Sequence, residues 1–338
     1  MLSIFVETSC NRYERDECIT CHVFEPLDPY NTEHLHLTPD QAKNMAEKIS
    51  QVEVLSQLAQ QEINLTGGEA SMNPHIVDVF KIFKTVSPNV CLHTNLDINS
   101  QESKRWKRLV EIAELAGRID ITLYPSVWEN RQKNLLSELI RIQNQLLINI
   151  IYENLPSLKD QLELLKNYFY EKGERFSHVA TLFEGYEEKL IALMKEDPNC
   201  REEVFLNQIE TQAFAPSDDF VLGINLLPGF EMGKNGDRAM SSMPFPEDPY
   251  LLQCPAVRGE IDIMTIRQDG FMTPCCDVGN LKCGPKFGNL LTDTPEVLQI
   301  KFEEARSLMA KGVQKNRQNL ENGVGGHWVE ELIPPYCI

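Results

Sequence analysis

Glu7-Thr8-Ser9-Cys10-Asn11-Arg12-Tyr13-Glu14-Arg15-Asp16-Glu17-Cys18-Ile19-Thr20-Cys21-His22 is the stretch whose reading decides the fold. It follows a short apolar run, Leu2–Val6, with the alternation and β-branching of a strand. Cys10, Cys18 and Cys21 then fall within twelve residues of loop. Three thiolates at the end of a strand can hold three corners of an iron–sulfur cube and leave the fourth iron open. Zinc competes, because C-x2-C is also half of a zinc knuckle and His22 can supply a fourth ligand. The spacing alone leaves both readings open.

The chain has 338 residues, room for one large α/β domain with an appendage or for two domains. It carries 42% hydrophobic and 24% charged residues, an ordinary globular balance. No apolar run approaches the roughly 18 residues that span a bilayer, and no basic-then-apolar leader precedes Cys10, so a cytoplasmic protein is expected. Ten cysteines without an export signal point to metal or catalysis rather than disulfides. They are unevenly placed: three by residue 21, five from residue 254 onward, and only Cys91 and Cys200 between. The formal net charge of −18 argues against a nucleic-acid substrate. The run Lys104-Arg105-Trp106-Lys107-Arg108 reads as a solvated helix face.

Beyond the cysteine loop, His34 and His36 alternate with leucines and suggest a strand-like or loop contact. Thr38-Pro39 has the chemistry of a helix start, and one long helix is expected to run to about Gln61. A second strand, Ile63–Leu65, delivers Thr66-Gly67-Gly68-Glu69-Ala70, where glycines let the backbone approach a ligand and Glu69 adds a carboxylate. Strands are then expected at Val90–His93, Ile119–Leu123, Gln145–Tyr152, His178–Leu182 and Phe220–Leu227. Helices are expected at Ile76–Phe83, Lys104–Leu115, Trp128–Asn144, Leu158–Phe169 and Glu187–Met194. Alternating strands and helices build parallel βαβ units, with ligands at the strands' C-terminal ends.

The three-cysteine loop after strand one, the Thr-Gly-Gly-Glu after strand two and Thr94-Asn95 after strand three together resemble the radical S-adenosylmethionine (SAM) enzymes. The resemblance covers about residues 3–230 and implies an α/β fold, a partial (β/α)6 TIM-like barrel. It further implies a [4Fe–4S] cluster on Cys10, Cys18 and Cys21, with SAM chelating the open iron. Gly67, Gly68 and Glu69 would hold the SAM amino group, Thr94 and Asn95 would lie beside SAM, and Ser126 would reach its ribose. Asn225 is a more distant candidate, and helix capping competes for Thr94 and Asn95. Two departures are visible: the loop is C-x7-C-x2-C rather than C-x3-C-x2-C, and Ala70 stands where the family has proline. No residue is singled out as catalytic.

Residues 231–253 read as a linker or substrate-facing loop. From Cys254 the pattern changes. Ile261–Ile266 and Phe271–Thr273 flank Asp269-Gly270, a hairpin signal, with Cys275-Cys276, Cys283, Gly288-Asn289-Leu290, a helix near Pro295–Ala310 and Cys337 beyond. This resembles the SPASM/twitch extension of radical SAM enzymes, a small hairpin-plus-helix domain over 254–338. The resemblance implies one auxiliary [4Fe–4S] cluster on Cys254, Cys275 and Cys283. Neighbours on a strand face opposite ways, so Cys337 is preferred to Cys276 as the fourth ligand. A zinc-stapled hairpin is the alternative. Cys91 reads as a packed core thiol and Cys200 as a surface one.

The resemblance implies reductive SAM cleavage to a 5′-deoxyadenosyl radical that abstracts hydrogen from a substrate. Enzymes with such an extension most often modify ribosomally made precursor peptides, and a splicease-type excision of tyramine is the narrowest expectation. An electron donor such as ferredoxin or flavodoxin is implied. Because the first strand begins at residue 2 or 3, a separate leader-binding partner protein is expected. A radical SAM dehydrogenase or epimerase acting on a small molecule, and a zinc-binding scaffold without enzymatic activity, remain as alternatives. No nucleic acid or membrane partner is expected.

Overall fold

The computed structural model describes residues 1–8, 10, 36–101, 103–143, 145–152, 155–173, 176, 179–181, 183–185, 188, 191–192, 215–217, 220–228, 263–273 and 287–307. The chain divides into two units, Met1–Cys91 with Glu231–Ile338, and Leu92–Phe230.

In the first unit, β1 (Leu2–Glu7) pairs in parallel with β2 (Ile63–Gly67) and, on its other side, with β8 (Met264–Ile266). All six residues of β1 are buried because it is an interior strand. Leu2 lies opposite Ile63 and Met264, and Ile4 opposite Leu65 and Ile266; these residues form an enclosed apolar layer. Ser3, opposite Asn64 and Thr265, alternates onto the other face. The expected hairpin forms: β8 runs antiparallel to β9 (Met272–Thr273) through Gly270, whose φ of +88° suits glycine. Asp269 accepts from the N–H of Phe271, which makes it the turn residue anticipated. Asn289 then locks the turn, donating to the Asp269 carbonyl at 2.9 Å and accepting from the N–H of Leu291. A helix follows over residues 295–307, and its Phe302 meets Phe287 edge to face.

Thr38 and Gln41 close a reciprocal capping box at the start of α1 (Pro39–Gln51). The single long helix expected here is two. At Val52 the backbone is extended, with φ −98° and ψ 113°, and α2 (Glu53–Gln61) starts afresh. The break carries the Val52 side chain into the core while the apolar spacing continues across it, so periodicity alone did not reveal it. Lys48 and Asn44 of α1 both donate to the Leu291 carbonyl. The helix α3 (Ile76–Phe83) has the bounds expected.

In the second unit, β4 (Arg118–Leu123), β5 (Gln145–Tyr152) and β7 (Phe220–Pro228) are parallel neighbours, and β6 (Ala215–Ser217) folds back antiparallel on β7. Ile119, Ile121 and Leu123 lie opposite Leu146, Ile148 and Ile150 in one apolar layer. The helices are α4 (Lys104–Ala113), a single turn α5 (Pro125–Val127), α6 (Lys133–Ile142) and α7 (Leu155–Glu171). Trp106 of α4 is buried, Arg105 and Arg108 are half-buried, and Lys104 and Lys107 are exposed, so the solvated face expected holds for the two lysines. The helix expected over Trp128–Asn144 opens instead as a π-helical stretch, Trp128–Gln132, before α6 takes over. Trp128, Tyr168 and Phe169 pack edge to face, and Phe183 stacks on Phe169 at 5.8 Å.

The strand expected over His178–Leu182 is not one, since residues 179–181 are helical. Val179 and Ala180 are fully buried, and a short apolar run cannot by itself be told from a buried helical turn. Six of the seven strands expected before the hairpin therefore form, and between the strands lie helices, a mixed α/β fold with mostly parallel pairing in each unit. Of the helix expected at Glu187–Met194, residues 188, 191 and 192 are described and are helical. No helix among the described residues is long and apolar enough to cross a membrane.

Candidate functional site

In the first unit the C-terminal ends of β1 and β2 meet. Their register shifts between Phe5 and Glu7, and Gly67 sits opposite Glu7 with φ +130°. A Cβ on Gly67 would lie 2.3 Å from the Glu7 carbonyl oxygen, so the glycine is required by the approach of the two strands. Gly68 donates its N–H to that same oxygen at 2.8 Å. Glu69 is buried, and its Oε1 accepts from the N–H and the hydroxyl of Ser71, capping the turn Ala70–Met72. A carboxylate is an acceptor only, so a buried one beside a strand end suits an ammonium group. Cys10, three residues beyond β1, is half-buried. Cys18, Cys21, Cys254, Cys275, Cys276, Cys283 and Cys337 lie outside the described residues, as do His22, Cys200 and Asp277. Among the described residues no group of three metal-ligating side chains converges. Cys91 is a buried core thiol, as expected.

In the second unit, Thr94 and Asn95 leave β3 (Val90–Thr94) and shape the turn that follows. Thr94 Oγ1 accepts from the N–H of Leu96, and Asn95 Oδ1 from the N–H of Asp97. Leu96, next in the chain, has φ +49°, the left-handed region that side chains rarely adopt. Helix capping is ruled out for both, because Ser103 caps α4 by accepting from the N–H of Trp106. Ser126 is exposed on α5, just beyond β4. Asn225 lies opposite the buried Asn149, which lies opposite Thr122, so the register places three polar residues at one level of the strands.

Several residues around these turns escaped the sequence reading. Gln132, fully buried at the end of the π-helical stretch, donates to the Asn95 carbonyl at 2.7 Å and the Thr122 carbonyl at 2.9 Å, and accepts from the N–H of Tyr124. It clamps the ends of β3 and β4 together. Arg131 pairs with the buried Asp97, and His93 shares a hydrogen bond with Thr122 at 2.7 Å. The first unit adds Glu7, whose fully buried carboxylate meets His36, and Asn73. An acid closing an apolar strand was a visible signal at Glu7. Nothing in the sequence marks Gln132 or the Asp97–Arg131 pair, which join positions far apart in the chain.

No protein-family model and no curated protein sequence matches the chain. Its fold is similar to that of SuiB from Streptococcus suis bound to S-adenosylmethionine, with a TM-score of 0.51 and 14% identity over 98% of this chain and 71% of that one. A SuiB structure with the precursor peptide SuiA gives a TM-score of 0.49 and 17% identity, covering 93% of this chain and 66% of that one. A third, of SuiB alone, gives 0.49 and 15%, covering 93% and 67%. Likeness at this identity bears on the fold: it agrees with a mostly parallel α/β architecture carrying its loops at the strand ends.

Proposed function

We propose that this chain is a radical SAM enzyme that modifies a ribosomally made precursor peptide. The observation that carries the reading is the junction of the two strand ends: Cys10 follows β1, the Gly-Gly-Glu turn follows β2, and the Gly68–Glu7 bond fastens one to the other. The overall similarity to the fold of a SAM-bound protein supports it. When bound, an iron–sulfur cluster and SAM supply reductive cleavage and a 5′-deoxyadenosyl radical for hydrogen abstraction. Cys10, Cys18 and Cys21 would hold the cluster. The Glu69 carboxylate, oriented by Ser71, would accept hydrogen bonds from the SAM ammonium. Thr94, Asn95 and Ser126 are the further residues read as SAM-binding, and Gln132 donates to the Asn95 carbonyl.

The peptide substrate rests on the cysteine pattern of the C-terminal extension. In this reading residues 1–230 would be the partial barrel, 231–253 a linker or substrate-facing loop, and 254–338 the extension, with one auxiliary cluster on Cys254, Cys275, Cys283 and Cys337. Tyramine excision is the narrowest form of the reading. A ferredoxin- or flavodoxin-type donor would serve it.

Anaerobically reconstituted protein is expected to hold about eight irons, four in each of two clusters. With a reductant it releases 5′-deoxyadenosine, and a Cys10, Cys18 and Cys21 triple alanine variant does neither at the first cluster. Cys337→Ala loses the auxiliary signal while SAM cleavage persists; the reverse result with Cys276→Ala reassigns the fourth ligand. Mass spectrometry of a precursor peptide encoded beside the enzyme reads the modification. Stoichiometric zinc with no visible absorbance and no deoxyadenosine overturns the reading.

A further inference from the structure

Glu7 and His36 flank residues 8–35, which include all three N-terminal cysteines. The neck between these points is built from buried hydrogen bonds. The Leu37 N–H donates to the Val6 carbonyl at 3.0 Å, and Glu7 and His36 form an antiparallel bridge. Their side chains pair as well, His36 Nδ1 with Glu7 Oε2, the histidine half-exposed and the acid fully enclosed. Asn73, with no exposed surface, crosses the neck: its amide donates to the Val6 carbonyl at 2.7 Å and to the Leu37 carbonyl at 3.0 Å, one on each side. Its Oδ1 accepts from the N–H of His75 at 2.8 Å, so both donors and the acceptor are used.

Plain strand pairing could have closed this neck. A fully buried amide is a costly way to do so, because every bond it fails to make leaves a desolvated polar group. What Asn73 adds is reach. It belongs to the segment that begins with Glu69, and its own N–H donates to the Ala70 carbonyl at 3.2 Å. The side chain therefore bolts the two ends of the cysteine-bearing segment to the turn that carries Glu69, while Gly68 makes a second tie to Glu7.

We infer that Asn73 is a positioning residue that sets Cys10 against Glu69, with Glu7–His36 as the second fastening of the same neck. This rests on the cluster and SAM reading above, in which Cys10 bears iron and Glu69 meets the SAM ammonium. An amide with two fixed acceptors holds a distance, as groups behind a metal ligand do.

The test uses the full-length chain with Asn73→Ala, Asn73→Asp and His36→Ala, and Leu139→Ala as a core-destabilised control. Hydrogen exchange on the metal-free protein reads the neck directly: Leu37 and Gly68 amides lose protection in the Asn73 and His36 variants and keep it in the control. In reconstituted protein, iron content stays at the wild-type level while SAM binding weakens about 10- to 100-fold. The perturbation of the cluster's electron paramagnetic resonance spectrum on adding SAM is diminished. The control binds SAM as the wild type does. Wild-type protection and SAM affinity in the Asn73 and His36 variants overturn the inference, as does equal weakening in the control. If an Asn73 variant does not fold, His36→Ala decides between the same outcomes. Wild-type protein that takes up no iron and cleaves no SAM would instead sink the cluster reading, with the exchange result still deciding the role of the neck.

Discussion

The N–H of Gly68 donates to the carbonyl oxygen of Glu7 at 2.8 Å, so the first two strands are joined past the end of their regular ladder. The bond exists because Gly67 lets the strands close on one another there. Adjacent residues thus make one connection: one supplies conformation and space, the other the donor.

Gly67→Ala is expected to destabilise the protein by about 3 kcal/mol or more, since it combines a left-handed backbone with a collision against the Glu7 carbonyl. Urea denaturation measures it. Ala→Gly at the neighbouring Ala70, whose backbone is not left-handed, is the comparison. An unchanged midpoint for Gly67→Ala would show that the strand ends part easily.

Gln132→Ala removes three hydrogen bonds made by one buried side chain and leaves the Asn95 and Thr122 carbonyls and the Tyr124 N–H without it. A loss of about 2–4 kcal/mol is expected. Gln132→Glu keeps the acceptor for Tyr124 but cannot donate, so it should be no better tolerated. Chemical denaturation of both variants checks the clamp.

Under the proposed function Glu69 has two separable duties, the observed cap on Ser71 and the proposed contact to SAM. Glu69→Gln keeps an acceptor for the Ser71 N–H, so stability should stay near wild type while SAM binding weakens. Glu69→Ala should weaken SAM binding by on the order of 2–5 kcal/mol and also lose the cap, about 1 kcal/mol of stability. Calorimetry with SAM and thermal melts separate the two. Equal SAM affinity in all three proteins would place the amino-group site elsewhere.

Burial pushes the Tyr168 phenol up to about 12, against a smaller opposing effect of its hydrogen bond with Ser137. An unfolded tyrosine ionises near pH 10. Above that pH the unfolded chain sheds a proton that the folded chain keeps, so this group's contribution is intact below pH 10 and is lost as pH rises toward 12. Tyr168→Phe should therefore flatten the fall of stability across that window relative to wild type. Parallel slopes for the two proteins would contradict it.

Helix starts, the hairpin and most strands were legible because their signals are local. Thr38-Pro39 with Gln41 caps α1 from within one turn, Asp269-Gly270 turns the hairpin, and the apolar periodicity of Ile76–Phe83 yields that helix with its bounds. The Gly-Gly-Glu turn after β2 and Thr94-Asn95 at the end of β3 were likewise placed by the apolar strand that precedes each. Tertiary structure decided the rest. Residues 179–181 are helical with Val179 and Ala180 fully buried, and β8 came to lie beside β1 through a pairing more than 250 residues apart in the chain. Gln132, Asp97–Arg131 and the Asn73 neck owe their partners to chain segments that only folding brings together. A side chain's local pattern states what it can bond. Which carbonyl it meets is set by packing over the whole sheet, and that is not written in any short stretch of sequence.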